Sequence, residues 1–142
     1  MTEVLTPAIM LRAYAMGIFP MAASADDPQL QWFEPTLRGI LPVGGVHLSR
    51  SMRRTLRQSD WRARIDHDFL AVVDGCADRP ETWINAELRA LYAELHRLGH
   101  AHALGVYAGE QLTGVIINVN GKNRRVRQTR DHYLHTPAQQ AH

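Results

Sequence analysis

The chain has 142 residues, 45% hydrophobic and 21% charged, which fits one globular domain with a sizeable core. Its single cysteine, Cys76, excludes an internal disulfide; no apolar run reaches the roughly 20 residues of a membrane helix, and no basic-then-apolar leader opens the chain, so the expected address is the cytoplasm. The net charge of +2 is uneven: residues 118–142 hold five Lys/Arg against one Asp, which leaves eleven against thirteen, a net of −2, in residues 1–117.

Thr6-Pro7 predicts a helix start, a hydroxyl cap followed by proline at the first helical position. Ile9, Met10, Ala13 and Met16 carry the apolar spacing to Gly17, which can end the helix. Ser24 to Pro28 is a polar loop, and Trp32 to Pro42 reads as strand or extended chain broken by Pro35. After a turn at Gly44-Gly45, Ser49 caps a helix over Arg50 to Arg57, and Ala63 to Ile65 fits a short strand. Asp68 caps a helix carrying Phe69, Val72, Val73 and Cys76. Asn85 caps the clearest helix, with Leu88, Leu91, Tyr92, Leu95 and Leu98 as its apolar stripe and Gly99 at its end. Ala101 to Ala108 and Gln111 to Val119 then read as two strands turning at Gly109-Glu110. Beyond Asn118 the apolar pattern stops. Residues 118–142 are expected to be a disordered basic tail, because so little apolar surface cannot offset roughly 1–2 kcal/mol of backbone entropy per residue.

Arg50, Arg53, Arg54 and Arg57 are spaced along one helix flank, with Arg62 and Arg64 close behind, and no acid interrupts Arg50 to Arg57. Such clusters neutralise phosphate backbones and release counterions, so nucleic-acid contact is the reading favoured over a solvated face. The hydroxyls of Ser49 and Ser51 can add neutral phosphate contacts. His96 and His100 have i,i+4 spacing, with His102 next. The hydrolytic zinc motif needs a glutamate where Arg97 stands, Gly99 falls between the two histidines, and there is no cysteine pair, so no metal is expected. Cys76 sits on an apolar stripe and reads as a buried structural thiol. Trp83, at a loop-to-helix junction, either stacks on a nucleobase or covers the helix start. Tyr14 fits core packing as well as a site.

Several strings in order resemble one family, the leucyl/phenylalanyl-tRNA–protein transferases. They are Leu11 to Pro20, with Tyr14 and Gly17-Ile18-Phe19-Pro20; Trp32 to Pro42, with Pro35 and Arg38; His47 to Arg54; Gly75-Cys76-Ala77; Thr82-Trp83-Ile84; and Tyr92 to His102. The resemblance covers about residues 5–115. It implies transfer of leucine or phenylalanine, methionine less well, from aminoacyl-tRNA to an N-terminal lysine or arginine of an acceptor protein, which marks that protein for N-degron degradation. The chemistry is aminolysis of an ester and calls for no cofactor and no metal. By resemblance Trp83 and Tyr14 contact the aminoacyl-adenosine end, and Arg50, Arg53, Arg54 and Arg57 hold the tRNA body.

The chain departs from the family pattern at Pro20-Met21, where the family has proline then tryptophan, and again after Val115. There the family continues into an acetyltransferase-like C-terminal half with the amino-acid pocket and the residues that activate the acceptor amine. The expectation is therefore an α+β fold: an N-terminal domain over residues 1–117 ending in a β-hairpin, monomeric, without that half and without the family's catalytic residues. A non-homologous tail follows, the expected product of a frameshift or truncated gene. The alternative is a catalytically inactive tRNA-binding fragment or a pseudogene product.

Overall fold

A computed structural model describes residues 4–39 and 44–119. Of the tail expected over 118–142, Asn118 and Val119 instead belong to a strand, and the rest lies outside the described residues, as does the Ile40 to Pro42 end of the extended segment. In chain order the elements are α1 (Pro7–Met16), β1 (Phe19–Ala22), β2 (Leu30–Phe33), α2 (Arg50–Gln58), β3 (Arg62–Ile65), α3 (Phe69–Ala77), α4 (Ala86–Arg97), β4 (Ala101–Ala108) and β5 (Gln111–Val119). The architecture is α+β with two small sheets.

All four helices start on the side chains that the sequence offers. Thr6, Ser49, Asp68 and Asn85 each accept the amide of the residue three positions on, at 3.3, 3.1, 3.0 and 2.9 Å. A cap of this kind stabilises a helix by about 1 kcal/mol. α1 and α4 also end alike. The Gly17 amide donates to the Tyr14 carbonyl and the Ile18 amide to Ala13, while the Gly99 amide donates to His96 and the His100 amide to Leu95. This pair of bonds needs a left-handed residue, which is why glycine stands there with φ of 83° and 81°.

The main sheet has the order β3-β4-β5, antiparallel throughout, with β4 central. Alternate residues of β4, from Ala101 to Tyr107, are buried, and Ala101 and Ala103 pair with Val119 and Ile117 of β5. The core lies between this face and the helices. Val72, Val73 and Cys76 come from α3, Leu88, Leu91, Tyr92 and Leu95 from α4, and Met10 and Tyr14 from α1. α3 lies close over β5: a Cβ at Gly75 would stand 2.9 Å from Val115 Cγ1. Between Val106 and Tyr107 the β4–β5 register slips, and Thr113 Oγ1 donates to the Val106 carbonyl at 3.0 Å.

Three points differ from the sequence reading. The extended segment at Trp32 is a strand only over Leu30–Phe33, and it pairs with β1 as a second, two-stranded sheet. The segment leaving the first helix is therefore itself a strand. Arg38, beyond that strand, donates to the Gly17 carbonyl and so ties the segment to the end of α1. Leu98, counted in the α4 stripe, is 46% exposed because the helix has already ended at Arg97.

Candidate nucleic-acid interface

α2 is built unlike the other helices. None of its residues is buried, and Met52 and Leu56 are each nearly half exposed. The Ser49 cap holds its first turn, and Ser49 Oγ lies 3.0 Å from Ser51 Oγ. Arg50, Arg53, Arg54 and Arg57 converge with Gln58 on one shallow depression. Among the described residues no carboxylate pairs with any of the four. Arg57 Nε donates to the Arg53 carbonyl at 3.2 Å, which holds that side chain along the helix. The first turn contains no acid, so Arg50 stands against the helix dipole without compensation. Four guanidinium groups on one helix face repel one another, and an anionic partner relieves that repulsion.

Trp83 and Tyr14 both contact Tyr92, Trp83 at its ring and Tyr14 at its hydroxyl. The Trp83 ring stands edge-on to Tyr92, with centroids 6.5 Å apart and planes at 81°. Its backbone carbonyl accepts the Ala22 amide at 3.0 Å, which fixes the loop against β1. Asn85 reinforces that junction by donating to the Asp27 carbonyl at 2.9 Å while capping α4. Tyr14 is 4% exposed, and its hydroxyl lies 3.0 Å from that of Tyr92. The sequence suggested Trp83 and Tyr14 separately and gave Tyr92 only a place in the apolar stripe. The three rings form one unit because α1, α4 and the loop before α4 meet there. Trp83 itself is half-buried and packs on the edge of the core.

A groove of about 400 Å³ lies nearby, lined by Leu5, Ile9, Pro28, Gln29, Leu30, Trp32 and Glu87. Neither Trp83 nor Tyr14 lines it.

Burial pushes the Cys76 thiol up to about 11. That leaves about a hundredfold less thiolate near pH 8 than an unperturbed thiol has. Native chain is therefore expected to react with iodoacetamide at pH 8 at least about a hundred times more slowly than urea-unfolded chain. Equal rates, read by mass spectrometry, rule out the buried-thiol assignment.

His96 and His100 do not face each other, because the chain reverses at Gly99. His100 is exposed, whereas His96 and His102 both turn toward Asp66. Asp66 itself has a left-handed backbone, φ 53°, which Asp tolerates better than most side chains. Sequence reading had no signal for this aspartate, since it lies 36 residues from His102 and follows a four-residue strand.

The described chain thus combines an exposed arginine helix with an α+β core that carries an aromatic junction. The sequence model of the leucyl/phenylalanyl-tRNA protein transferases matches residues 40–124, and that of their N-terminal domain matches residues 3–36. The chain belongs to this family. It is 69% identical over 110 residues to the leucyl/phenylalanyl-tRNA–protein transferase of Paracoccus denitrificans, an alignment covering 78% of this chain and 52% of that protein. It is 56% identical over 115 residues to that of Cereibacter sphaeroides, covering 81% and 54%, and 51% identical over 115 residues to that of Ruegeria pomeroyi, covering 81% and 55%. The chain thus spans about half the length of the curated relatives it matches. Among the described residues no helix is long and apolar enough to cross a membrane.

Proposed function

We propose that this chain engages aminoacyl-tRNA as the N-terminal part of an aminoacyltransferase. In this reading the α2 arginines hold the tRNA body, and Trp83, braced by Tyr92 and Tyr14, meets the aminoacyl-adenosine end. The observation that carries it is the convergence of Arg50, Arg53, Arg54 and Arg57 on one depression, with no described carboxylate paired to them. A solvated helix face of a net-acidic segment needs no such exclusion of acids. The reaction is aminolysis: the N-terminal amine of an acceptor, lysine or arginine, attacks the ester carbonyl of leucyl- or phenylalanyl-tRNA, and the tRNA 3′ oxygen leaves. This chain's share is positioning, because a held ester and an oriented amine remove much of the entropic barrier. The acceptor would then enter N-degron turnover in the cytoplasm. Residues 1–117 form the unit that makes these contacts.

Filter binding of tRNA over a salt series tests the reading. The pair Arg53→Ala and Arg54→Ala is expected to weaken binding about tenfold or more at low salt and to lower the log–log salt slope by roughly 1–2. Because α2 contributes nothing to the core, this variant is expected to keep the melting temperature of the parent chain. Unchanged affinity and slope remove the arginine helix from the interface.

A further inference from the structure

Asp66, His96 and His102 come from three different elements and converge on one point. Asp66 follows β3, His96 is in the last turn of α4, and His102 is the second residue of β4. Each offers a donor atom, and the three donor atoms lie within 4.8 Å of one another. From this geometry we infer that Asp66, His96 and His102 form a binding site for one divalent transition-metal ion, zinc by its ligand preference, with water completing the shell.

The donor set selects the metal. Two imidazoles and one carboxylate suit zinc and its first-row neighbours, whereas magnesium and calcium prefer oxygen ligands throughout. A zinc ion with nitrogen and oxygen ligands at about 2.0–2.2 Å needs donor separations of a little over 3 Å. His102 Nδ1 lies 2.7 Å from Asp66 Oδ2 and His96 Nδ1 lies 3.8 Å from Asp66 Oδ1, so the required distances fall between those present. The three side chains are 28–40% exposed, which leaves an ion a way in and water a place on it.

The surroundings hold these groups in place. The Ala103 amide donates to Asp66 Oδ1 at 2.8 Å, and the Asp66 amide donates back to the Ala103 carbonyl at 2.8 Å. The His96 ring stacks flat on Phe69, with centroids 4.2 Å apart and planes within 3°. The His102 ring stands at 89° to it. An outer bond to a ligating carboxylate and a packed ring behind a ligating histidine are the supports that metal sites use. Burial pushes the Asp66 carboxyl up, yet the bonds from His102 and Ala103 and the nearby imidazole charge leave it below the ordinary value, so the carboxylate is ready as an anion.

Binding has an identifiable cost. His96 Nδ1 donates to the Ala101 carbonyl at 2.8 Å, and His102 Nδ1 donates to Asp66. An ion held through these atoms requires both rings as the Nε2–H tautomer and competes with protons for Nδ1, so uptake weakens as pH falls. The helix-borne His96–His100 motif rejected from the sequence is a different arrangement: His100 takes no part here, and Asp66 replaces it.

Cobalt and zinc titrations of the metal-stripped 142-residue chain test the site. One equivalent of Co²⁺ is expected to give visible d–d bands that one equivalent of Zn²⁺ abolishes. Asp66→Asn, His96→Gln and His102→Gln are each expected to weaken binding at least about tenfold, and His100→Gln to leave it unchanged. X-ray absorption of the zinc-loaded parent chain, which needs no variant to fold, is expected to show two imidazoles and one carboxylate oxygen. Absence of uptake at a hundredfold excess of zinc overturns the site. So does a zinc shell without two imidazoles, or affinity that none of the three substitutions changes.

Discussion

Leu88→Ala is expected to destabilise the chain by about 2–5 kcal/mol, a large share of the 5–15 kcal/mol that holds an ordinary domain together. Leu88 has no exposed surface and lies in the first turn of α4, inside the core cluster to which α1 contributes Met10 and Tyr14 and α3 contributes Val72, Val73 and Cys76. Removing its side chain deletes the transfer energy of three carbons and leaves a cavity that rigid neighbours fill only in part. Leu98→Ala is the matched control. Leu98 continues the same heptad-like spacing in the sequence but is 46% exposed, so its loss is expected to cost within about 0.5 kcal/mol. Urea unfolding reads both as shifts in midpoint at constant slope. Equal losses at the two positions contradict the placement of Leu98 beyond the helix end.

That contrast shows what a sequence carries and where it stops. Local signals were legible. Thr6, Ser49, Asp68 and Asn85 each cap a helix, Gly17 and Gly99 each take the left-handed residue at a helix end, and the turn at Gly109 closes the hairpin between β4 and β5. Each is decided by side chains within a few residues, and the chemistry there admits few alternatives. The β1–β2 pair was not legible. Its strands are four residues long, one contains Pro20, and their burial shows no shared alternation. Strand pairing over such lengths is settled by packing on α1, which no local pattern announces.

The same division runs through the candidate sites. Arg50, Arg53, Arg54 and Arg57 were visible because one helix carries them at fixed spacing. Asp66 beside His102, and Tyr14 beside Tyr92, join residues 36 and 78 positions apart. No spacing rule reaches that far. Gly75 belongs here too: a string matched by resemblance acquires a physical reason only when Val115 is seen 2.9 Å from where its Cβ would be. The arginine helix and the aromatic junction also differ in kind. α2 can be changed without touching the core, whereas the Trp83 junction is continuous with it, so changes there are coupled to stability.

The hydroxyl pair behind Trp83 gives the clearest case of that coupling. Tyr14→Phe alone, or Tyr92→Phe alone, is expected to cost about 1–3 kcal/mol, because each leaves one buried hydroxyl without its partner. The double substitution removes both groups and is expected to cost less than the two single losses added, since no polar atom is then stranded. Alkali reads the same pair independently. Burial pushes the Tyr14 phenol up to about 12, offset in part by the bond to Tyr92, and burial together with the nearby Tyr14 and Cys76 raises Tyr92 well above the ordinary value. In the unfolded chain both phenols lose their protons near pH 10. Between that pH and the folded values the unfolded state binds fewer protons, so stability is complete below about pH 10 and falls as pH rises, by about 1.4 kcal/mol per pH unit for each tyrosine. The double phenylalanine variant is expected to lose this part of the alkaline slope while keeping the ring against which Trp83 packs. Urea midpoints from pH 8 to 11, with absorbance at 295 nm to follow phenolate, measure both effects. Strictly additive single losses, or an alkaline slope that the double variant retains in full, break the assignment of Tyr14 and Tyr92 as a buried, mutually bonded pair beneath the candidate aminoacyl-adenosine contact.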